Sequence, residues 1–550
     1  MEKRIFAAIV ISVAFLWIWA ALAPRIFPEL AKPKPVASTT TTKPATTTPV
    51  TSSSPAQQTA TYTPKTSAAP PAAPVIPIAE SSVIMTTVDR PDYVAVFSNR
   101  GAQLVSFKLR SYKDKKKQPV ELVKDRPATR ADFPFAIEAQ NGAIGARLNT
   151  SLYAVNVVRD EREAVRSIEY RFAGDGVSAK KTFTFDQPYL FDFNIVVAPP
   201  IPYRTIIGPG IRVLGPDERD NRIIITGNGV VQRDGSLDVL PREKGDRLRI
   251  YGPVDFVGIE DNYFLSVLRP KKADGAVLRR IDVQAGNEIR KELYAGVNAA
   301  PDGVIAGNAF FGPKETKLLD RYGLASTLQF GTFGIIARFL LGVLVWINQS
   351  THNYGWAIIV LTILIKVVLY PLQHKSIVSM KKMQKVQPKM EAIKNRFKKA
   401  RSDPEQRNKM NAEMMKLYQQ EGINPMSGCI PILLQLPILW GFYGLLSKAI
   451  ELRGAPFMGW ITDLSDKDPF YVTPILMTIT MFIQTWITPA TGDPSQRRMF
   501  LIMPLVFGFI FKDMPSGLVL YWLVQNILTI VQQMIMNKWW KDHPKELQTA

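Results

Sequence analysis

Reactive side chains are scarce in this sequence. Cys429 is the only cysteine, so no intramolecular disulfide can staple any part of the chain. The three histidines, His352, His374 and His543, are scattered, and all lie outside the mixed polar stretch of about 90–320. No HExxH pair, no phosphate-binding loop ending in Gly-Lys-Ser/Thr and no GxSxG elbow occurs anywhere. The usual signatures of a zinc protease, a nucleotide-driven motor and a serine hydrolase are thus missing. Internal repeats are not evident either. No cofactor is expected.

Long apolar runs, by contrast, are present, although a mean hydropathy of zero conceals them. Residues from about 90 to 320 are mixed and charged, whereas residues from about 355 to 537 hold apolar runs of bilayer-spanning length. The formal charge of +21 is also uneven. Between Lys375 and Glu421 there are 13 Lys and Arg against five Asp and Glu, a net +8 between two apolar runs. On the positive-inside rule this is first a cytoplasmic loop and only second a ribosome or RNA contact; recognition of a specific nucleic-acid sequence is not expected.

Ile5–Ala23 is a nineteen-residue apolar run behind Lys3 and Arg4, with Trp17 and Trp19 near its outer end. It reads as a retained anchor (1–24), although Ala21-Leu22-Ala23 resembles a signal-peptide cleavage site. Residues 25–82 are rich in Thr, Pro, Ala and Ser and bury too little apolar surface to offset chain entropy, so they read as a disordered tether. Over 83–322, short alternating runs such as YVAVFS, KKTFTF and LFDFNIVV recur between Gly, Pro, Asn and Asp turns, the pattern of a large β-sandwich.

The run within 323–350 is nearly long enough to span but carries Arg338 at its middle. If it crossed, the next span would leave the basic loop outside. It is therefore expected to lie in the outer interface with Arg338 reaching toward headgroups. Spans are expected at about 355–373, 430–447, 471–488, 499–511 and 517–536, inside a core of 351–537 followed by a short tail, 538–550. That gives six spans with both termini inside. Loop charges agree: 450–470 is net −2 and 489–498, with Arg497 and Arg498, is net +1. The 499–511 run has only thirteen residues, roughly 20 Å of helix against about 30 Å of hydrocarbon, so local thinning of the bilayer is one answer to the mismatch.

Within the basic loop, Pro388 is expected to open a helix, Asp403-Pro404 to supply an N-cap and first-turn proline, and Gly422 to stop it. This is a helical hairpin over 375–421. Met380, Met383 and Met390 recur at helical spacing on one arm, and Met410 and Met414 on the other. They either pack the two arms together or offer adaptable contacts to varied apolar segments of other proteins.

The stretch MMKLYQQEGINPMSGCIPILLQLPILWGFYGLL resembles the signature region of the YidC membrane protein insertase family. Upstream IKVVLYPLQHKS resembles the family's second span, and downstream PSGLVLYWLVQNILTIVQQ its last. The resemblance covers about 350–537; the anchor, tether and β domain match the Gram-negative branch by architecture. It implies a five-helix core enclosing a hydrophilic groove, open to cytoplasm and lipid, with a charged residue on the second span. That residue is here Lys366, where many members carry Arg. Thr362 matches one turn earlier. Tyr521 and Trp522 fall where the family places an aromatic pair, Trp522 replacing the more usual tyrosine. The resemblance further implies action on nascent inner-membrane proteins, alone or with the Sec translocon, in contact with the lipid bilayer and with the ribosome.

Lys366 stands out without the family, because a lysine at the centre of a span costs roughly 2.5–3.5 kcal/mol and is normally functional. The competing reading is snorkelling, since the cytoplasmic end is about six residues, roughly 9 Å, away. Gln435, Gln484, Thr485, Gln525, Asn526 and Thr529 on other spans are each ordinary interhelical hydrogen-bonding groups, yet with Lys366 they suggest a wet interior. Pro431, Pro437, Pro474 and Pro504 also weaken the backbone ladders of their spans. Two other readings compete. A transporter or channel would fit polar spans but gives the Met-rich hairpin no purpose. A membrane-anchored periplasmic enzyme would need an acid pairing that the sequence does not reveal.

Overall fold

The computed structural model describes residues 78–114, 116–123, 133–211, 227–242, 248–285, 288–397, 403–422, 430–488 and 494–542. The expected anchor, most of the tether, Cys429 and the tail beyond Asp542 lie outside the described residues.

Strict alternation builds the β domain. In Val177–Gln187 the side chains of Val177, Ala179, Lys181, Phe183 and Phe185 point inward while their neighbours face out, and Leu190–Ala198 pairs with it in register, Phe183 opposite Phe193. These two strands sit in a nine-stranded antiparallel sheet that also contains Val165–Gly174, Phe264–Lys272 and Val304–Pro313. A four-stranded sheet (Met85–Asp89, Tyr93–Ser98, Gln103–Lys113, Pro119–Glu121) lies on it, joined through the rings of Phe97 and Phe107 against Phe183, Phe185, Phe191 and Phe311. A five-stranded sheet adds Leu278 against Gly229, where a Cβ would meet the leucine at 2.8 Å. Sheets thus pack on sheets, as the alternating pattern implies. One short helix, α1 (Gly142–Thr150), is capped by Asn141, whose carboxamide oxygen accepts from Ala143 N at 3.0 Å.

The remaining α-helices among the described residues are α2 (Thr316–Arg321), α3 (Gly334–Thr351), α4 (Tyr354–Arg396), α5 (Pro404–Gln420), α6 (Ile430–Lys448), α7 (Val472–Ile487), α8 (Pro494–Phe511) and α9 (Ser516–Asp542). Among the described residues, α3, α4 and Ser516–Trp540 of α9 are long and apolar enough to cross a membrane, and Val472–Ile487 and Leu501–Phe511 are shorter apolar helices.

Three expectations need correction. Pro388 does not open a helix: it lies, with Pro371, inside α4, which runs unbroken for 43 residues, roughly 65 Å, from the bundle into the hairpin. The missing N–H breaks one ladder bond, but the turns on either side carry the helix past it. The thirteen-residue run at 499–511 is part of an eighteen-residue helix that starts at Pro494, because a first-turn proline needs no N–H and begins the helix early. The last helix continues past residue 537 to Asp542, since Trp540 packs with Ile377 and Met536 and extends the buried face. Elsewhere the punctuation holds. Asp403 caps α5 by accepting from Glu405 N at 2.9 Å with Pro404 in the first turn, and Gly422 follows its end at φ +60°.

The β domain docks on one end of the bundle through buried polar groups. Asn262 donates to the Ser447 carbonyl at 2.9 Å, beside a buried pair within the β domain itself, Lys314 with Glu260 at 2.9 Å. Glu451, after α6, accepts from the Thr316 hydroxyl at 3.1 Å, and burial pushes its carboxyl up. Arg453 lies over the Tyr263 and Phe264 rings and donates to the Lys113 carbonyl at 3.1 Å. The 449–471 loop is therefore on the β-domain side of the bundle. So is the turn before α9, where Ser516 N donates to the Asp466 carbonyl at 2.7 Å.

Both ends of α3 are tied to this same end. Lys448 donates to the Gln329 carbonyl at 2.6 Å just before α3, and Asn353 just after it donates to the Phe457 carbonyl at 2.9 Å. One face of α3 is buried through Ala337, Leu340, Leu341, Leu344 and Ile347, against α6 and α4. Ile335, Phe339 and Trp346 remain exposed, and Arg338 reaches back 3.5 Å to the Leu328 carbonyl.

Candidate functional site

Helices α4 and α9 run side by side in the same direction: Ile358 touches the Gly517 position, Lys366 reaches Thr529, and Ile377 packs with Met536 and Trp540. Lys366 is 8% exposed. Its ammonium turns across to α9, donating to Thr529 Oγ1 at 2.9 Å, rather than following its stem to the helix end. The Thr529 hydroxyl donates onward to the Gln525 carbonyl at 2.7 Å. Among the described residues no carboxylate pairs with Lys366. A buried full charge with one neutral partner is incompletely satisfied, and such groups are rare unless water or a ligand completes them.

Nearby amides are incomplete as well. Gln525 Oε1, Gln373 Oε1 and both amide atoms of Gln532 are buried without a hydrogen-bond partner. Gln373 is seven residues beyond Lys366 and Gln532 seven beyond Gln525, so these groups recur on the same strip of their helices. Neither Gln373 nor Gln532 stood out in the sequence, but that seven-residue spacing was the signal for both.

The other expected residues divide. The Tyr521 ring is fully buried and stacks on Phe442 at 4.3 Å, while its hydroxyl meets the Gln435 amide, linking α9 to α6. Thr362 is buried on α4, but its hydroxyl donates to its own helix at Ile358 (2.6 Å). Trp522 faces away from Tyr521, against Phe507 and Phe511 of α8, because adjacent helical residues diverge by about 100°. Asn526 ties α9 to α7, donating to the Met477 carbonyl at 3.4 Å and Thr480 Oγ1 at 3.3 Å. On α7, the Thr485 hydroxyl donates to the Met481 carbonyl at 2.8 Å, and Gln484 is half-buried. Lys366 and Thr529 therefore form one group, with Gln525 one turn earlier on the same face of α9, Gln435 and Tyr521 form a second, and Asn526 belongs to the α7 contact.

In the hairpin, Met383 is buried with Val386, and Met390, Leu417 and Tyr418 pack on them; Tyr418 also donates to Met390 Sδ at 3.6 Å. Lys389–Glu421 at 2.6 Å and Arg396–Glu413 at 3.1 Å cross the arms. Met383 and Met390 thus help hold the arms together, while Met380, Met410 and Met414 are half-buried outside that cluster. Arg497 and Arg498 stand near the start of α8, with side chains outside the described residues. Among the described residues, no group of three or more His, Cys, Asp or Glu is placed to hold a metal ion.

A helical bundle with apolar outer faces, one buried lysine inside and a β-rich domain docked on one end defines a polytopic membrane protein. The family of the 60Kd inner membrane protein matches residues 346–543, and the YidC periplasmic domain matches 85–200 and 231–343. The membrane protein insertase YidC of Geobacter metallireducens is 33% identical over 577 residues, covering 98% of both chains. That of Nitratidesulfovibrio vulgaris is 35% identical, covering 98% of this chain and 99% of the relative. A solved active YidC insertase with its first transmembrane domain resolved aligns with a TM-score of 0.37 at 19% identity, covering 84% of this chain and 94% of that one.

The chain belongs to the YidC membrane protein insertase family. Its helices form the YidC-type membrane core and its β-rich part is the periplasmic domain, in an inner-membrane family whose members are not enzymes.

Proposed function

We propose that this chain inserts nascent inner-membrane proteins into the bilayer and helps them fold, alone or beside the Sec translocon, through a polar groove centred on Lys366. The observation that carries this reading is the buried ammonium with a single hydroxyl partner amid unpartnered amides. Such a site attracts and partly solvates a short acidic tail while the client's apolar segment moves into lipid. Client hydrophobicity and the membrane potential supply the free energy, in keeping with the lack of a nucleotide motif. The groove is lined by Lys366, Gln525 and Thr529, with Gln435 and Tyr521 at its closed, periplasmic side. The test is site-directed crosslinking from position 525 to a short stalled membrane protein. Adducts are expected there and not at position 526, whose side chain is occupied by α7; equal yields would sink the groove assignment.

The same reading gives six spans, namely the N-terminal anchor and five from α4, α6, α7, α8 and α9, with both termini cytoplasmic. Helix α3 then lies along the periplasmic interface. An eighteen-residue helix is roughly 27 Å long, so a crossing α3 would have its ends on opposite faces, whereas both are tied to the β-domain side. The hairpin projects on the other side, where its charge and half-buried methionines suit ribosome and client contact. With Cys429 replaced, single cysteines at 413 and at 462, an exposed position of the 449–471 loop, are expected to label from opposite sides in spheroplasts, 462 from outside. Labelling from one side only would break this topology.

A further inference from the structure

Lys366 is not the only cation set beside apolar surface. At the periplasmic-domain end of α7 and α8 the two helices leave a cleft of about 470 Å³, lined by Tyr471, Pro474, Ile475, Thr478, Leu505 and Lys512. Gly508 fixes its floor, since a Cβ there would stand 2.2 Å from Thr478 Oγ1; the helices touch at that point and part above it. The residues flanking the opening are apolar yet exposed: Ile475, Ile479, Leu505 and Phe509 are each at least half accessible. In a membrane core such a surface faces acyl chains. Exposed Trp460, Phe470 and Tyr471 stand at the same end, as aromatic side chains do at headgroup level.

The cleft has one full positive charge. The Lys512 ammonium lies over the Phe509 ring at 4.7 Å, and its nearest carboxylate, Asp513, is 3.8 Å away in a solvent-exposed pair, which compensates it only weakly. The Thr478 hydroxyl is used within α7, donating to the Pro474 carbonyl at 2.8 Å, so the walls below Lys512 present apolar surface. A cation above an apolar slot on a lipid-facing surface matches a molecule with an anionic head and a hydrocarbon tail.

We propose that this cleft binds one phospholipid of the periplasmic leaflet with an anionic headgroup, its phosphate on Lys512 and one acyl chain along Ile475, Ile479 and Leu505. Among the described helices α8 packs mainly on α7. The bound lipid acts as a wedge that sets the angle between them. The site is independent of the groove, so its failure would leave the insertase reading untouched.

The test uses the full-length protein, delipidated in detergent and titrated with phosphatidylglycerol or phosphatidylcholine under native mass spectrometry. The wild type is expected to retain one phosphatidylglycerol about fivefold better than phosphatidylcholine, the scale of one basic residue near an anionic surface. Lys512→Gln should abolish that preference, Lys512→Arg should keep it, and Ile475→Trp, which fills the slot from an exposed position, should weaken both lipids. Equal retention of the two lipids by the wild type, or an unchanged preference in Lys512→Gln, would overturn the proposal.

Discussion

Replacing Lys366 by Ala is expected to cut insertion of a reporter whose translocated tail carries two aspartates about tenfold, and to leave a neutral tail within about twofold. Two unit charges 4 Å apart interact by about 4 kcal/mol at an effective dielectric of 20, and a third of that, about 1.4 kcal/mol, is already tenfold in rate. The ammonium faces Thr529 on α9 and no described carboxylate neutralises it, so its field is available to a client. Lys366→Arg should keep insertion, because charge and reach both survive. Lys366→Glu should be worst for acidic tails through repulsion, and a one-aspartate tail should fall between the extremes. Insertion is scored by protease protection of the tail, with the level of each variant checked by immunoblot. If Ala matches the wild type for every tail, the charge has no electrostatic role. An equal loss for all tails would point to hydration or folding of the bundle instead.

The second large effect is expected in the periplasmic domain, from a lysine that the strand pattern places on the inward row. Lys181 is fully buried and donates to the carbonyls of Gly101 at 2.6 Å, Phe135 at 2.7 Å and Ala102 at 3.4 Å, with the Tyr153 ring 5.8 Å away. It ties the four-stranded sheet to the nine-stranded one. Lys181→Ala orphans those acceptors at about 1–3 kcal/mol each, so a loss of about 3–5 kcal/mol is expected, a large share of the 5–15 kcal/mol typical of a domain. Hydrogen exchange over Val177–Gln187 should report it as lost protection.

Burial pushes the Lys181 ammonium down from 10.5 to about 7. The unfolded chain therefore binds more protons between about pH 7 and 10.5. The domain should gain stability as pH rises through that window, by at most about 1.4 kcal/mol per unit, and lose it as pH falls back toward 7. Lys181→Met should lack this slope, and an identical slope would refute the assignment. Insertion is expected to survive either substitution if α2 and α3 stay docked, since the domain contains no catalytic motif. A stable bundle that no longer inserts would give the domain an active part.

How much of this was legible beforehand differs from residue to residue. The strand Val177–Gln187 could be read from its period of two, and α5 from Asp403, Pro404 and Gly422, because each signal is carried by neighbours in sequence. Pro388 misled because a proline's local preference for a first turn is weaker than the continuity of a long helix already formed around it. Lys366 was visible because charge at the centre of an apolar run is costly wherever it packs.

Its partner was not selected so sharply. Thr529 lies 163 positions away, and only the parallel packing of α9 on α4 makes it, rather than Thr362 one turn off, the acceptor. The same packing turned Trp522 toward α8 while Tyr521 faced α6, and left Gln373 and Gln532 unpartnered.

By itself the sequence determined the apolar runs, the basic hairpin between two of them, the alternating strands and the one deep charge. Each follows from local periodicity or from the cost of moving a group out of water. Only the tertiary structure decided which polar groups meet, that Lys181 pins two sheets, and that both ends of α3 return to one side. Those outcomes depend on which faces of distant elements come together, and no residue carries that information alone.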